Sequence, residues 1–141
     1  MKTFGLIDKA FFLKSVRIFS ALDLELLLAV AEKLQPDEYD AGEQVFTANH
    51  SANRIYIIAE GSVLLHNEQM HPFCELGAGE FFGDESVFSE QPRAYAATCK
   101  SDTILLTLSR SHLLSIISEC PSVAISLLHN YAHKIPCRHR S

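Results

Sequence analysis

Apolar residues recur at helical spacing towards the two ends of the chain and at strand spacing between them. Residues 4–19 carry a loose helical pattern through Phe11, Phe12, Leu13, Val16 and Ile18. Ser20-Ala21-Leu22-Asp23 has the spacing of a capping box, which predicts the start of a second helix. Leu22, Leu26, Leu27, Val30 and Leu34 fall on one face of that helix, and Pro36 ends it. From Glu38 the period changes. Val45-Phe46, Ile55–Ile58, Val63–His66, Phe73–Leu76, Tyr95–Cys99 and Ile104–Leu108 are short apolar, β-branched or aromatic runs, and each predicts a strand. Polar loops separate them at Asn49–Asn53, Asn67–Met70 and Lys100–Asp102. Ser109 predicts the cap of a helix over Leu113, Leu114, Ile116 and Ile117. Pro121 opens a last helix with Val123, Leu127, Leu128 and Tyr131 along one side, and Pro136 stops it.

Short strands at this spacing predict a small barrel or jelly roll. The fold class is therefore α+β, mainly β, with helices at both ends. The units read as an N-terminal helical segment at 1–35, a β-roll at 36–109, C-terminal helices at 110–135 and a basic tail at 136–141. A length of 141 residues accommodates one domain and its core. The 48% hydrophobic and 21% charged content is ordinary for a globular chain, and a net charge of −5 argues against a general nucleic-acid binder. No apolar run approaches the roughly 18 residues of a membrane span, and the start lacks the apolar centre of a signal peptide. Cys74, Cys99, Cys120 and Cys137 form no close pair, which reads as reduced thiols and a cytoplasmic protein.

The chemistry concentrates between Gly79 and Ala96. The glycines at 79 and 83 allow backbone that a Cβ would hinder, and let N–H groups converge on an anion. Gly83-Asp84-Glu85-Ser86 can open a short helix with its positive end towards the same point. Pro92 forbids a continued helix, and Arg93 then offers a fork for a phosphate. Asp84 either accepts from a sugar hydroxyl or caps the short helix, and the pattern leaves both open. Glu85 and Ser86 belong to the candidate set as its first turn, against the alternative of a solvated face. No Ser/His/Asp set, phosphate loop of the NTPase type or zinc-hydrolase helix is present, so no catalytic residue is assigned and the chain reads as a non-enzyme. His129, His133 and Cys137 have helical metal-ligand spacing, but Pro136 interrupts it, so no metal site is assigned either.

Phe82-Gly83-Asp84 followed by Pro92-Arg93-Ala94 resembles the phosphate-binding cassette of cyclic nucleotide-binding domains. That family includes the regulatory subunits of cAMP-dependent protein kinase, the catabolite activator protein and cyclic-nucleotide-gated channels. Ile55–Val63 and Tyr39–Phe46 resemble two further strands of the family, and the likeness runs over about residues 12–135. It implies a double-stranded β-helix, a jelly-roll-like β-roll, with a cassette at 79–98. It implies cAMP or cGMP as ligand, with no other cofactor. The contacts it implies come from Gly83, Asp84, Glu85, Ser86, Arg93 and Ala94, the last through its backbone N–H. Leu128 and Tyr131 on the last helix become lid candidates over the base. The implied output is movement of the C-terminal helices, passed to an effector protein or a second copy. Asp84 stands where the family carries glutamate. That departure supports a rival reading, a degenerate module that keeps the fold and serves as a protein-interaction domain without nucleotide.

Overall fold

Strand β3 (Arg54–Glu60) is buried on both faces, and the fold is arranged around it. The computed structural model describes residues 5–16, 19–20, 22–48, 53–67, 69, 71–83 and 95–129. Side chains alternate across a strand. Ile55, Ile57 and Ala59 therefore enter one apolar cluster, and Tyr56 and Ile58 enter another. Strand β8 (Thr103–Ser109) divides in the same way. Leu106 and Leu108 share the first cluster, opposite Ile57 and Ile55, while Leu105 joins the second opposite Ile58.

Two four-stranded antiparallel sheets result. One has the order β1 (Gln35–Tyr39), β8, β3 and β6 (Phe81–Phe82). The other has the order β2 (Gln44–Phe46), β7 (Ala96–Cys99), β4 (Ser62–His66) and β5 (Pro72–Gly77). Their inner faces enclose the second cluster, built from Phe46, Val63, Leu65, Leu76, Phe82, Tyr95, Ala97 and their neighbours. The first cluster lies on the outer face of the β3 sheet. There the helices α1 (Leu6–Ser15), α2 (Leu24–Lys33), α3 (Arg110–Glu119) and α4 (Ser122–His129) pack through Leu13, Leu27, Val30, Leu113, Val123 and Leu127. This is the α+β, jelly-roll-like architecture with helices at both ends.

Several boundaries differ from the sequence expectations for physical reasons. Helix α2 starts at Leu24, because the Asp23 carboxylate accepts from the Leu26 amide at 2.9 Å, which makes Asp23 the N-cap residue in place of Ser20. Its chain then turns into β1, which Gln-Pro-Asp-Glu-Tyr does not announce. Strand β1 is an edge strand with an exposed or half-exposed pattern, so it needs no apolar alternation, and an edge tolerates Pro36. Ser109 caps α3 as expected, its hydroxyl accepting from His112 N at 3.2 Å. On α4 the expected stripe splits: Val123 and Leu127 are buried, whereas Leu128 is 70% exposed. Successive helix residues are about 100° apart, so Leu127 and Leu128 cannot share one narrow contact. Cys74 is disulfide-bonded, which corrects the expectation of four reduced thiols. Cys99 and Cys120 are free, and Cys137 lies outside the described residues. Among the described residues no single helix is long and apolar enough to cross a membrane.

Candidate functional site

The described residues that lead into the segment expected as the cassette begin with a turn after β5. Glu80 N donates to Gly77 O at 3.1 Å, and Glu80 Oε1 accepts from Gly77 N at 3.0 Å. Gly79, at φ 88°, donates to Ile58 O at 2.8 Å, and Ile58 N donates to Glu80 O at 2.9 Å. These bonds clamp the turn to β3 and set the register Ile57↔Phe81 and Tyr56↔Phe82. The two-residue strand β6 therefore delivers Gly83 at a fixed place, buried and with φ 84°. An L side chain is strained at that φ, so glycine is required for the chain to turn there.

Gly83 N donates to the Tyr95 hydroxyl at 3.0 Å in a buried hydrogen bond. Tyr95 stands immediately before β7, twelve residues further along the chain, and is 5% exposed. Its ring meets Phe46 at 5.8 Å between centroids and Phe73 at 6.0 Å edge-on. Phe46 also meets Tyr56 at 5.7 Å and Phe82 at 5.9 Å, and Tyr56 stacks on Phe82 at 5.2 Å and 14°. Aromatic pairs in these geometries add about 0.5–1.5 kcal/mol each beyond their buried area. The two points that flank residues 84–94 thus sit on one rigid aromatic cluster inside the roll.

Of the sequence-predicted ligand residues, Gly83 is placed at this lip. Asp84, Glu85, Ser86, Arg93 and Ala94 lie outside the described residues, as does Tyr131. Leu128 faces outward on α4. Residue reasoning on the sequence missed Tyr95 and the aromatic cluster. The available signal was a tyrosine inside an apolar strand, since a buried phenol hydroxyl needs a hydrogen-bond partner.

Other parts of the surface suit a nucleotide less well. An open cleft of about 450 Å³ is lined by Glu38, Tyr39, Asp40, Glu60, Asp102 and Thr103. Its four carboxylates oppose a phosphate. Burial pushes the Cys99 thiol up, with Glu43 adding to it, so this buried sulfur is held protonated rather than as a reactive thiolate. Among the described residues no group of three or more His, Cys, Asp or Glu is arranged to hold a metal ion.

Comparison with known proteins converges on one family. The cyclic nucleotide-binding domain family model matches residues 36–120. The CRP-like cAMP-activated global transcriptional regulator of Mycobacterium tuberculosis is 26% identical over 122 residues, covering 84% of this chain and 54% of that protein. The solved catabolite activator protein of Thermus thermophilus is 29% identical with a TM-score of 0.77, covering 85% of this chain and 58% of the other. The regulatory subunit of a cAMP-independent protein kinase A from Trypanosoma brucei shares the fold at 22% identity and a TM-score of 0.78, covering 90% and 47%. The chain thus spans about half the length of such relatives. Matched over more than half of its residues and folded as the family folds, the chain belongs to the cyclic nucleotide-binding domain family.

Proposed function

We propose that this domain binds a cyclic nucleotide, cAMP or cGMP, and reports its binding through its C-terminal helices. The observation that carries the reading is the position of Gly83. A buried glycine at φ 84° ends β6 at the rim of the roll, directly before Asp84, and the family match runs through it. In this reading Gly83 contributes the turn, since its N–H already donates to Tyr95. Arg93 grips the cyclic phosphate through its guanidinium, and the Ala94 N–H and the turn at Glu85-Ser86 complete the anion site. Asp84 accepts from the ribose hydroxyl. Tyr131 and Leu128 approach the base, and for Leu128 that requires α4 to move, because its side chain now faces solvent. No step of this function is catalytic, and the receiver is an effector protein or a second copy of the domain.

The route to the helices runs along strand β6. Phe82 belongs to the cluster inside the roll, and its neighbour Phe81 belongs to the cluster that holds Leu113, Val123 and Leu127. A ligand shifts the helix equilibrium only by its affinity difference between the two states. A thermal-shift and calorimetric series with cAMP, cGMP and a non-cyclic 5′-nucleotide tests the reading. A ligand at about 100 times its Kd adds roughly 2.7 kcal/mol to stability. Stabilisation by a cyclic nucleotide and not by its open form is expected, and no shift with either cyclic nucleotide would overturn the reading.

A second reading has one specific support. The Trypanosoma brucei neighbour comes from a cAMP-independent kinase and keeps this fold. A domain that kept the roll and gave up cyclic nucleotide would be a protein-interaction module. Capture of a partner that persists in Arg93→Ala favours it.

A further inference from the structure

We propose that helix α1 is a self-docking surface: its outer stripe, Ile7 and Phe11 flanked by Asp8 and Lys14, meets the same stripe of a second copy of this chain across a two-fold axis. The surface stands whether or not the domain binds nucleotide.

The helix has two opposite faces. Ala10 and Leu13 are buried in the helix-side cluster, and Lys9 reaches the C-terminal end of α2, its Nζ donating to Leu34 O at 3.1 Å. Ile7 and Phe11, one turn apart on the other face, are 64% and 71% exposed. Side chains four residues apart on a helix are neighbours, so the two form one apolar patch. Contiguous exposed apolar surface with a polar rim is the mark of an interaction site.

The rim says which molecule fits. Asp8 and Lys14 are both exposed, and they lie three residues before and three after Phe11. Each therefore stands about 4.5 Å from Phe11 along the axis and about 60° from it around the axis, on opposite sides in both senses. Acid and base thus occupy diametrically opposite corners of the patch. A two-fold axis through Phe11 lays the acidic corner of one helix on the basic corner of the other when the helices cross. Phe11 then meets Phe11 of the second copy, which is the self-complementarity an isologous contact needs. A partner of uniform charge would meet one corner with like charge and fits less well. Helix α4 carries a comparable pair, Ile125 and Leu128, 68% and 70% exposed. No Asp, Glu, Lys or Arg lies on that helix to select a partner, and Leu128 belongs to the site described above. A single helix face buries less than a standard interface, so the dimer is weak, and the charges set its register more than its affinity.

Sedimentation velocity of the ligand-free chain, read from about 10 μM to 1 mM, covers the range in which so small an interface assembles. The parent is expected to pass from monomer to dimer across it. Phe11→Ser, at an exposed position, is expected to weaken association by about tenfold or more with the unfolding temperature unchanged. Ile125→Ser is expected to associate as the parent does. Asp8→Lys and Lys14→Asp each set like charges together across the two-fold axis, and each alone is expected to associate more weakly than the parent. Mixed in equal amounts, they restore opposite charges at both corners, and the mixture is expected to dimerise. This arm decides the proposal even where Phe11→Ser fails to fold. A parent that stays monomeric throughout the range overturns the proposal. So does parental association in Phe11→Ser, or a mixture that associates no better than its two components. Loss of the dimer in Ile125→Ser but not in Phe11→Ser also overturns it, because the contact would then run through α4.

Discussion

Phe81 and Phe82 are consecutive in the chain and stand in different cores, Phe81 among the helices and Phe82 inside the roll. Strand alternation forces this separation, because β6 is pleated and adjacent side chains leave on opposite faces. The pair thus separates ligand binding from its effect on the helices. Phe81→Leu and Phe82→Leu should each lose about 1–3 kcal/mol in denaturant unfolding. Only Phe82→Leu should weaken nucleotide binding, because Phe82 stacks on Tyr56 next to Gly83. Phe81→Leu should instead reduce the protection that ligand confers on exchange in residues 110–129. Equal effects of the two variants on both readouts would contradict the route through β6.

Gly61 closes the turn between β3 and β4 at φ 96°, and a Cβ there would stand 2.5 Å from the Asp102 carbonyl oxygen and press on Thr103. Two costs therefore combine, a left-handed backbone for a non-glycine residue and a collision with backbone. Gly61→Ala should destabilise the domain by about 2–4 kcal/mol in urea unfolding. Gly79→Ala is the contrast. Its φ is also positive, but nothing lies within 4 Å of the added Cβ, so only the backbone term of about 1–2 kcal/mol applies.

Tyr39 supplies a pH dependence. Burial pushes its phenol up to about 12, with Tyr56 and Asp37 adding to the rise. Below pH 10 the phenol is protonated in both folded and unfolded chains. Between about pH 10 and 12 the unfolded chain gives up the proton while the folded one retains it, so the unfolded state gains. Stability should fall as pH rises through that window. Tyr39→Phe should fall less steeply than the parent over the same window. Identical slopes for the two proteins would remove the assignment.

Arg93→Ala tests the phosphate contact directly. If the guanidinium pairs with a cyclic phosphate inside the roll, truncation leaves a desolvated anion. One-sided removal of such a pair typically costs about 2–5 kcal/mol, or on the order of thirtyfold or more in affinity. Calorimetry with cAMP and cGMP measures it. Stability without ligand should change little, and equal binding by variant and parent would end the phosphate role.

The runs that bury side chains were legible in the sequence, and the segments defined by their surroundings were not. Ile55–Ile58, Val63–His66 and Ile104–Leu108 announce β3, β4 and β8 because each fills a core. β1 has no such signal, since its Pro36, Asp37 and Glu38 lie on an edge where the partner β8 supplies the order. β6 is two residues long, too short for any period, and its turn is held by Glu80 and Ile58 contacts that no local pattern encodes. The glycine at 83 was readable as a special position. Its bond to Tyr95 was not, because it depends on a register between two sheets. Ser20 matched a capping spacing, yet the helix begins three residues later, where the Asp23 carboxylate accepts from Leu26 N.

Asp84 stands where the resemblance implies a glutamate, and it gives the sharpest test of the sugar contact. Aspartate is shorter than glutamate by one methylene, roughly 1.5 Å. Hydrogen bonds weaken outside about 2.7–3.2 Å, so the shorter acid either loses the ribose hydroxyl or reaches it through a water. A hydrogen bond to a charged group contributes about 1.5–3 kcal/mol, and the parent should therefore bind cyclic nucleotide some tens of times more weakly than a glutamate-bearing site. Asp84→Glu should tighten binding. Asp84→Ala should weaken it, and weaken it less for a 2′-deoxy cyclic nucleotide, which lacks the hydroxyl. A capping role predicts a different pattern. Both substitutions would then lower stability by about 1 kcal/mol, and the deoxy and parent ligands would respond alike. Calorimetry of two variants against two ligands separates the roles, and equal losses for both ligands in Asp84→Ala would mean that the aspartate does not touch the sugar.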